Sequence, residues 1–250
     1  VISWNQGAHE IFGYTEEDAM DRRLSDLSVP TDGGQELGSM FRRVMNGIPG
    51  EITAERRTRD GQSIWVTSRS FPIRTVDGQV SGMSLVSRDV TDRRRRDAEE
   101  AKDLERRRWH RQINDALERS DLVLWGQPVY RLSSGEISHY ELLLRMIRDG
   151  EVILPGAFLP YAEDSDLISR IDHWVLHNGI RICQSTPVAI NLSGRSVSDT
   201  MLGSVIARQI EDCKVDPSRL RFEITESVAI ANLPAARKLV GDLSSLGCLV

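Results

Sequence analysis

The sequence predicts an α+β domain, a connecting helix and then an α/β barrel that is incomplete in this chain. Three observations support this prediction. Apolar and polar residues alternate on both sides of an Asp77-Gly78 turn, which is typical of an antiparallel sheet. No glycine or proline occurs from Val90 to Leu124, where helix-forming charged residues dominate. Strand-like and helix-like segments then alternate, which predicts βα units around a largely parallel sheet.

The composition excludes several classes of protein. The 250 residues are 40% apolar and 28% charged, with a net charge of −5. No stretch approaches the ~18 uncharged apolar residues of a membrane span, and no overall basic excess predicts binding to a DNA or RNA polymer. The odd count of three cysteines, without a CxxC pair, argues against a disulfide framework or a structural zinc site. We therefore expect a cytoplasmic location.

The first domain is predicted to combine short helices with paired strands. Helices are expected at 7–12 and 15–20, the second opening with Thr15 as N-cap and acidic residues after it. Strands are expected at 63–72 and 79–90, joined by the Asp77-Gly78 turn.

The segment 93–118 is predicted to be a solvated connecting helix. Its basic run, Arg93–Arg96, is flanked by acidic residues that favour intrahelical ion pairs over a lipid or nucleic-acid site. Its apolar residues also fit a short parallel dimer seam. The sequence is compatible both with a helix that only connects the domains and with one that also dimerises. These residues are Ala98, Ala101, Leu104, Trp109, Ile113, Ala116 and Leu117.

The second domain, 119–250, is predicted to begin a barrel without completing it. Strands are expected at 122–129, 137–144, 188–192 and 220–224, and helices at 168–183, 197–213 and 234–246. Cys248-Leu-Val has the apolar character of a further strand. A closed (β/α)8 barrel needs ~250 residues, whereas about 130 follow the connecting helix.

Residues 1–92 resemble a PAS sensor domain that lacks its first strand. The resemblance rests on Trp4-Asn-Gln-Gly-Ala-His-Glu-Ile-Phe-Gly-Tyr-Thr-Glu-Glu-Asp, Arg57-Thr-Arg-Asp-Gly, Pro72-Ile and Arg88-Asp-Val-Thr-Asp-Arg. It implies coupling into a signalling helix at Asp89-Val-Thr91, and we expect a homodimer formed through this domain and the helix.

The residues argue against several reactive cofactors in this domain, and its ligand stays unassigned. No cysteine precedes Cys183, so a light-driven flavin–thiol adduct has no nucleophile. The domain's single histidine, His9, is expected on a surface helix rather than at a haem iron. Trp4 and Trp65 fit a flavin pocket, but large aromatic residues in a small domain more often form its core.

In the second domain, polar side chains are predicted at the C-terminal ends of strands, where barrel enzymes place their chemistry. Glu141 lies on the second strand, Asn191 ends the third, and Glu223 with Glu226 end the fourth. Their oxygen atoms suit a hard cation, Mg²⁺ or Mn²⁺. Each residue taken alone also fits an ordinary loop or helix cap.

Seven motifs, in order, resemble the EAL domain family of cyclic-di-GMP phosphodiesterases. They are Gln127-Pro-Val, Tyr140-Glu-Leu-Leu-Leu-Arg145, Pro155-Gly-Ala-Phe158, Ala162-Glu163, Asp172-His-Trp-Val-Leu, Asn191-Leu-Ser193 and Glu223-Ile-Thr-Glu226. The resemblance implies a TIM-like barrel that uses two divalent metals to hydrolyse cyclic-di-GMP to linear pGpG.

The same resemblance assigns roles to individual residues. Glu141, Glu223 and Glu226 would be catalytic. The metal ligands would be Glu141, Asn191 and Glu223, with Glu226 supporting the metal-bearing loop after the next strand. The substrate contacts would be Gln127 and Arg145, because an arginine can bind a phosphate through two donors.

The sequence departs from the family pattern at three places. Leu142 replaces the alanine of Glu-Ala-Leu, which we expect to be tolerated, and Asp166 stands where the family has glycine. The Asp-Asp-Phe-Gly segment expected after Cys248-Leu-Val, with the later lysine, glutamate and glutamine, is not in the sequence. We expect a fragment of a longer PAS–EAL protein, poorly soluble and inactive because its two-metal site is incomplete.

Three functions are compatible with the sequence. The leading one is a PAS-regulated phosphodiesterase in the complete protein. The second is a catalytically degenerate EAL domain that acts as a cyclic-di-GMP receptor, and the third is a scaffold that dimerises through its PAS domain and binds no dinucleotide. No GGDEF-like segment supports cyclase activity.

Overall fold

The structure, a computed structural model, describes residues 1–30 and 35–250. It divides into two compact units, Val1–Asp103 and Leu104–Val250. No helix in the described part of the chain is long and apolar enough to cross a membrane. Each unit is described by itself.

The first unit packs short helices against an antiparallel sheet of order β1-β2-β3-β4. The helices are α1 (Gln6–Phe12), α2 (Glu16–Ala19), α3 (Leu24–Leu27) and α4 (Gln35–Met45). The strands are β1 (Val29–Pro30), β2 (Gly50–Arg57), β3 (Ser63–Arg74) and β4 (Val80–Asp89). The predicted helices at 7–12 and 15–20 and the strands at 63–72 and 79–90 are confirmed.

Local hydrogen bonds explain these elements. Thr15 and Asp18 form a capping box at α2, since Asp18 N donates to Thr15 Oγ1 at 3.2 Å and Thr15 N donates to Asp18 Oδ2 at 3.1 Å. The turn before β4 has Gly78 at φ +80°, which glycine adopts without strain. The sequence did not predict α4 or β2. The strand β2 is largely polar, and its pairing with β3 fixes it.

The core of the first unit contains one of the two tryptophans considered as cofactor-pocket residues. Trp4 is buried and packs on Phe12 with ring centroids 5.8 Å apart. Trp65 is half-buried, and the Arg94 guanidinium lies 4.0 Å from its ring centroid. His9 lies on α1, where Nδ1 donates to Tyr14 O at 2.9 Å.

The predicted connecting helix is α5 (Thr91–Arg119). Its start is fixed to β3, because Trp65 N donates to Thr91 Oγ1 at 2.8 Å. The helix is exposed from 92 to 108. The prediction of a solvated helix is wrong for the last part, which belongs to the core of the second unit. The residues packed there are Trp109, Ile113, Ala116 and Leu117.

The second unit is built on a mixed sheet of order β5-β6-β8-β9, with β7 paired to β6. The strands are β5 (Leu122–Tyr130), β6 (Ile137–Arg148), β7 (Glu151–Ile153), β8 (Val188–Asn191) and β9 (Leu220–Glu223). The helices are α6 (Pro155–Glu163), α7 (Leu167–Cys183), α8 (Gly194–Ser198), α9 (Leu202–Cys213), α10 (Glu226–Ala231) and α11 (Leu233–Ser245), with a 3-10 helix at Pro217–Arg219.

The prediction of a largely parallel sheet is right for only two of the four strand pairings. β6, β8 and β9 are parallel neighbours, and Leu249 continues the parallel pattern through a bridge to Arg221. β5 and β7 pair with β6 in the antiparallel direction. The reason is the short connection between β5 and β6, since parallel strands need a crossover of a dozen or more residues.

The helix predicted at 197–213 is also corrected. The structure has two helices there, α8 and α9, because the backbone turns at Asp199, whose Oδ1 accepts a hydrogen bond from Met201 N at 2.9 Å. Likewise, the helix predicted at 234–246 is α11, preceded by a separate α10.

Helix α7 packs closely on the sheet. A Cβ atom at Gly179 would lie 2.7 Å from Ile190 Cδ1 and 3.2 Å from Leu142 Cδ1, so only glycine fits without displacing them. Leu142, the residue in place of alanine, is buried in this core. Leu142, Ile190 and Phe222 therefore face the helices, and the alternate residues of β6, β8 and β9 face the other side of the sheet.

Candidate active site

Polar residues from four strands lie on the sheet face opposite the helices. Gln127 of β5 is directly opposite Glu141 of β6. Glu141 is in register with Ala189 of β8, and Asn191, two residues further on, is in register with Glu223 of β9. Because paired residues share a face and side chains alternate along a strand, these polar residues occupy one face.

Two of the predicted metal ligands are in direct contact. Asn191 Nδ2 donates to Glu141 Oε1 at 2.9 Å. Beside them, Leu192 N donates to Glu223 O at 2.9 Å, which ties the end of β8 to the end of β9. The structure thus brings Glu141, Asn191 and Glu223 to one part of the sheet.

The prediction that these residues all end their strands needs two corrections. Glu141 lies inside β6, because β6 continues to Arg148 to pair with β5 and β7. Glu226 is the exposed first residue of α10, since β9 already ends at Glu223. The two residues Ile224 and Thr225 separate Glu226 from the strand.

Arg145 lies on the same face as Glu141, four residues further along β6. Its guanidinium carbon is 5.4 Å from the ring centroid of Trp125, which is 50% exposed. Arg145 Nη1 donates to Leu144 O at 2.7 Å, whereas Nε is buried without a partner in the described structure. The cation–π contact and the hydrogen bond to Leu144 O restrict the guanidinium, whose planar donors suit binding of a phosphate.

Trp125 belongs to the candidate site through its contact with Arg145, and it was not predicted from the sequence. The signal was available, because Trp125 stands two residues before Gln127 on the same strand and so shares its face.

The donor set fits a hard divalent cation. Two carboxylates and an amide oxygen are the ligand types that Mg²⁺ and Mn²⁺ prefer, and Mg²⁺ usually keeps several waters. Within residues 1–30 and 35–250, no three His, Cys, Asp or Glu side chains lie close enough together to hold a metal. The fit therefore depends on the Asn191 amide as well as the two glutamates.

A buried carboxylate lies behind this face. Asp172 of α7 is 8% exposed and accepts hydrogen bonds from the Ser193 and Ser196 hydroxyls. Burial raises the pKa of Asp172, although the two hydroxyls oppose the shift. The Asp172-His-Trp motif was noted in the sequence, but the pairing of its aspartate with two serines was not predicted.

An antiparallel hairpin that leads into parallel βα units, with carboxylates on the open sheet face, defines an α/β barrel-type domain. Residues 110–250 match the profile of the EAL domain, and residues 1–95 match the PAS fold. The chain belongs to the EAL domain family and carries a PAS fold before its EAL domain.

Similar proteins include enzymes named for cyclic-di-GMP. Cyclic di-GMP phosphodiesterase PdeF of Escherichia coli is 32% identical over 146 residues, which cover 55% of this chain and 19% of PdeF. The chain spans about a fifth of the length of the curated relatives that it matches.

Solved structures show the same fold. The FimX EAL domain of Xanthomonas citri in complex with c-diGMP has a TM-score of 0.55 and 29% identity, covering 60% of this chain and 61% of that chain. The PaMucR phosphodiesterase in its c-di-GMP complex has a TM-score of 0.53 and 31% identity, covering 56% and 61%.

Proposed function

We propose that the whole protein hydrolyses cyclic-di-GMP to linear pGpG in a divalent-metal-dependent reaction regulated by its PAS domain. The observation that carries the proposal is the meeting of Glu141, Asn191 and Glu223 on one sheet face, with Glu141 and Asn191 in contact. Relatives named as cyclic di-GMP phosphodiesterases support the same function.

In this proposal, Glu141, Asn191 and Glu223 hold Mg²⁺ or Mn²⁺ in a two-metal site to which further residues contribute. Divalent cations there supply charge stabilisation to the phosphoryl oxygens and activate water. Glu226, at the start of α10, supports the loop that carries further ligands. Glu141, Glu223 and Glu226 are the proposed catalytic residues.

Gln127 and Arg145 are the proposed substrate contacts. Gln127 is exposed directly opposite Glu141 and can donate or accept hydrogen bonds beside the metal ligands. Arg145 presents a guanidinium that lies over the Trp125 ring, and its donors match a phosphate group. Together they would orient the scissile phosphodiester over the carboxylates.

A receptor is the second candidate function. A degenerate EAL domain that binds cyclic-di-GMP without hydrolysing it needs the substrate contacts but no complete metal site. The exposed Gln127 and the Arg145 guanidinium beside Trp125 support this candidate, because these contacts could bind the dinucleotide without a cation.

The cellular setting is proposed with the function. We place the protein in the cytoplasm as a homodimer formed through the PAS domain and α5. The exposed part of α5 leaves Ala98, Ala101 and Leu104 for such a seam, because the other apolar positions are packed in the second unit.

Chromatography of cyclic-di-GMP incubated with the full-length protein and Mg²⁺ or Mn²⁺ tests the proposal, alongside a metal-free binding titration. Conversion to pGpG supports the enzyme. Tight binding without conversion supports the receptor, and neither binding nor conversion would leave PAS-mediated assembly as the remaining function.

A further inference from the structure

We propose that Asp172 is a positioning residue, whose buried carboxylate fixes the segment 192–196 and thereby holds Asn191 beside Glu141. The inference rests on the proposed function, because it gives Asn191 its importance as a metal ligand.

The contacts of Asp172 join helix α7 to the start of α8. One carboxylate oxygen, Oδ2, accepts hydrogen bonds from both Ser193 and Ser196. Ser193 is also the N-cap of α8, since its Oγ accepts a hydrogen bond from Ser196 N at 3.2 Å. The cap of α8 is therefore anchored to α7 through a single buried oxygen.

This anchor lies two residues from Asn191. Leu192, between them, is buried, and its N donates to Glu223 O at 2.9 Å. The segment after Asn191 is thus held on two sides, by β9 through Leu192 and by α7 through Ser193. Fixing the backbone on both sides restricts the directions in which the Asn191 amide can point.

The cost of burying a carboxylate indicates a specific role. An ionised group loses solvation in a protein interior. The buried residues Ile168, Val175 and Leu176 lie three or four positions from Asp172 on α7 and show that this side of the helix accepts apolar residues. An apolar residue at 172 would pack there without that cost, but it could not accept the two hydroxyl hydrogen bonds.

A second carboxylate offers a matched control. Asp166, just before α7, accepts a hydrogen bond from Arg195 of α8, so it also ties α7 to α8. The Asp166 side chain is 90% exposed, and exposed ion pairs contribute little to rigidity.

The test compares Asp172→Ala, Asp172→Asn and Asp166→Asn in the full-length protein. Mn²⁺ binding is measured by calorimetry without substrate, and hydrogen exchange of the amides at 192–196 is measured without metal. We expect Asp172→Ala to weaken Mn²⁺ binding about 10- to 100-fold, as loss of groups that orient metal ligands does, and to speed exchange at 192–196. Asp172→Asn should retain most of the Mn²⁺ affinity and most of the slow exchange at 192–196, because its amide oxygen still accepts hydrogen bonds. Asp166→Asn should change neither the Mn²⁺ affinity nor the exchange at 192–196.

The inference is overturned if Asp172→Ala binds Mn²⁺ and exchanges its amides at 192–196 as the wild type does. A lower melting temperature alone would not support it, because loss of a residue with only a structural role also lowers the melting temperature. If Asp172→Ala does not fold, Ser193→Ala replaces it, with the same expected loss and the same contrary result. A wild-type protein that binds Mn²⁺ without hydrolysing cyclic-di-GMP contradicts the proposed function alone. A wild-type protein that binds no Mn²⁺ overturns both.

Discussion

Asn191 and Glu141 are fifty residues apart in sequence, yet Asn191 Nδ2 donates to Glu141 Oε1 at 2.9 Å. Parallel pairing of β6 with β8 produces this contact, since Glu141 is in register with Ala189 and Asn191 ends β8 two residues later. The contact puts a carboxylate and an amide side by side on the open sheet face. Their oxygen atoms are therefore close enough to bind the same cation.

The last part of α5 is expected to stabilise the second unit. Trp109 stacks on Tyr161 with ring centroids 5.8 Å apart, and His110 Nε2 donates to Tyr161 O at 2.9 Å. Trp109→Ala should lower the free energy of unfolding of this unit by about 2 kcal/mol, because it removes a packed aromatic ring. Arg107→Ala, at an exposed position of α5 outside the proposed seam, should change it by less than about 0.5 kcal/mol. Urea unfolding monitored by hydrogen exchange in α7 measures the unfolding free energy of both variants. If Trp109→Ala destabilises the second unit no more than the exposed control does, α5 acts only as a connector.

Trp125 is expected to contribute to cyclic-di-GMP binding through Arg145. Trp125→Leu removes the cation–π contact and should weaken binding about 2- to 5-fold, which corresponds to about 0.5–1 kcal/mol. Arg145→Lys should weaken it more, because lysine cannot bind a phosphate with a planar pair of donors. Calorimetric titration measures both variants, and Tyr130→Leu on the exposed end of β5 is the control. Unchanged affinity in Arg145→Lys would remove Arg145 from the proposed substrate contacts.

Asp18 is expected to make the first unit sensitive to acid. Hydrogen bonds from Thr15 and the nearby Arg59 guanidinium, 2.7 Å away, lower the pKa of Asp18. A folded pKa below the unfolded value of about 3.9 means that ionised Asp18 stabilises the unit above about pH 4 and that this contribution disappears as the pH falls through the folded pKa.

In Asp18→Asn, the acid-dependent part of the stability should therefore be smaller, whereas Glu17→Gln on the same helix should behave like the wild type. Urea midpoints between pH 5 and pH 3, followed by hydrogen exchange in β3, provide the measurement. Identical pH profiles for Asp18→Asn and the wild type would contradict the role given to the capping box.

The cysteines should differ in reactivity. Burial, with a further contribution from the Cys183 thiol, raises the pKa of Cys248 to about 11, and burial also raises the pKa of Cys183. Cys213 is only half-buried. Since the thiolate is the reactive form, iodoacetamide at pH 8 should label Cys213 first, as read by mass spectrometry of peptides. Labelling of Cys248 as fast as Cys213 would show that the core around Cys248 opens readily.

Much of the fold could be predicted from periodicity and turn residues. The helices α1, α2 and α7 and the hairpin of β3 and β4 follow from local patterns and caps. Strand β2 could not be predicted in this way, because its residues are mostly polar and only pairing with β3 makes it a strand. The break between α8 and α9 depends on one aspartate hydrogen bond.

The residues of the candidate site that lie on one sheet face could be predicted from the sequence. The contact between a residue of α7 and residues at the start of α8 could not. Glu141, Asn191 and Glu223 follow from strand positions that the sequence indicates. Asp172 lies on α7, and its two serine partners lie on a different element, so no spacing along the chain predicts the contact.

Whether Glu141 is needed for hydrolysis is tested by cyclic-di-GMP turnover with Mn²⁺, followed by chromatography, in the full-length protein and its Glu141→Gln variant. Glu141→Gln keeps the size of the side chain and removes the charge that the proposed cation needs, and Glu151→Gln on exposed β7 is the matched control. We expect pGpG from the wild type and Glu151→Gln, and a rate about 100-fold lower from Glu141→Gln, because the proposed cation loses a charged ligand. Turnover by Glu141→Gln at the wild-type rate would contradict this expectation.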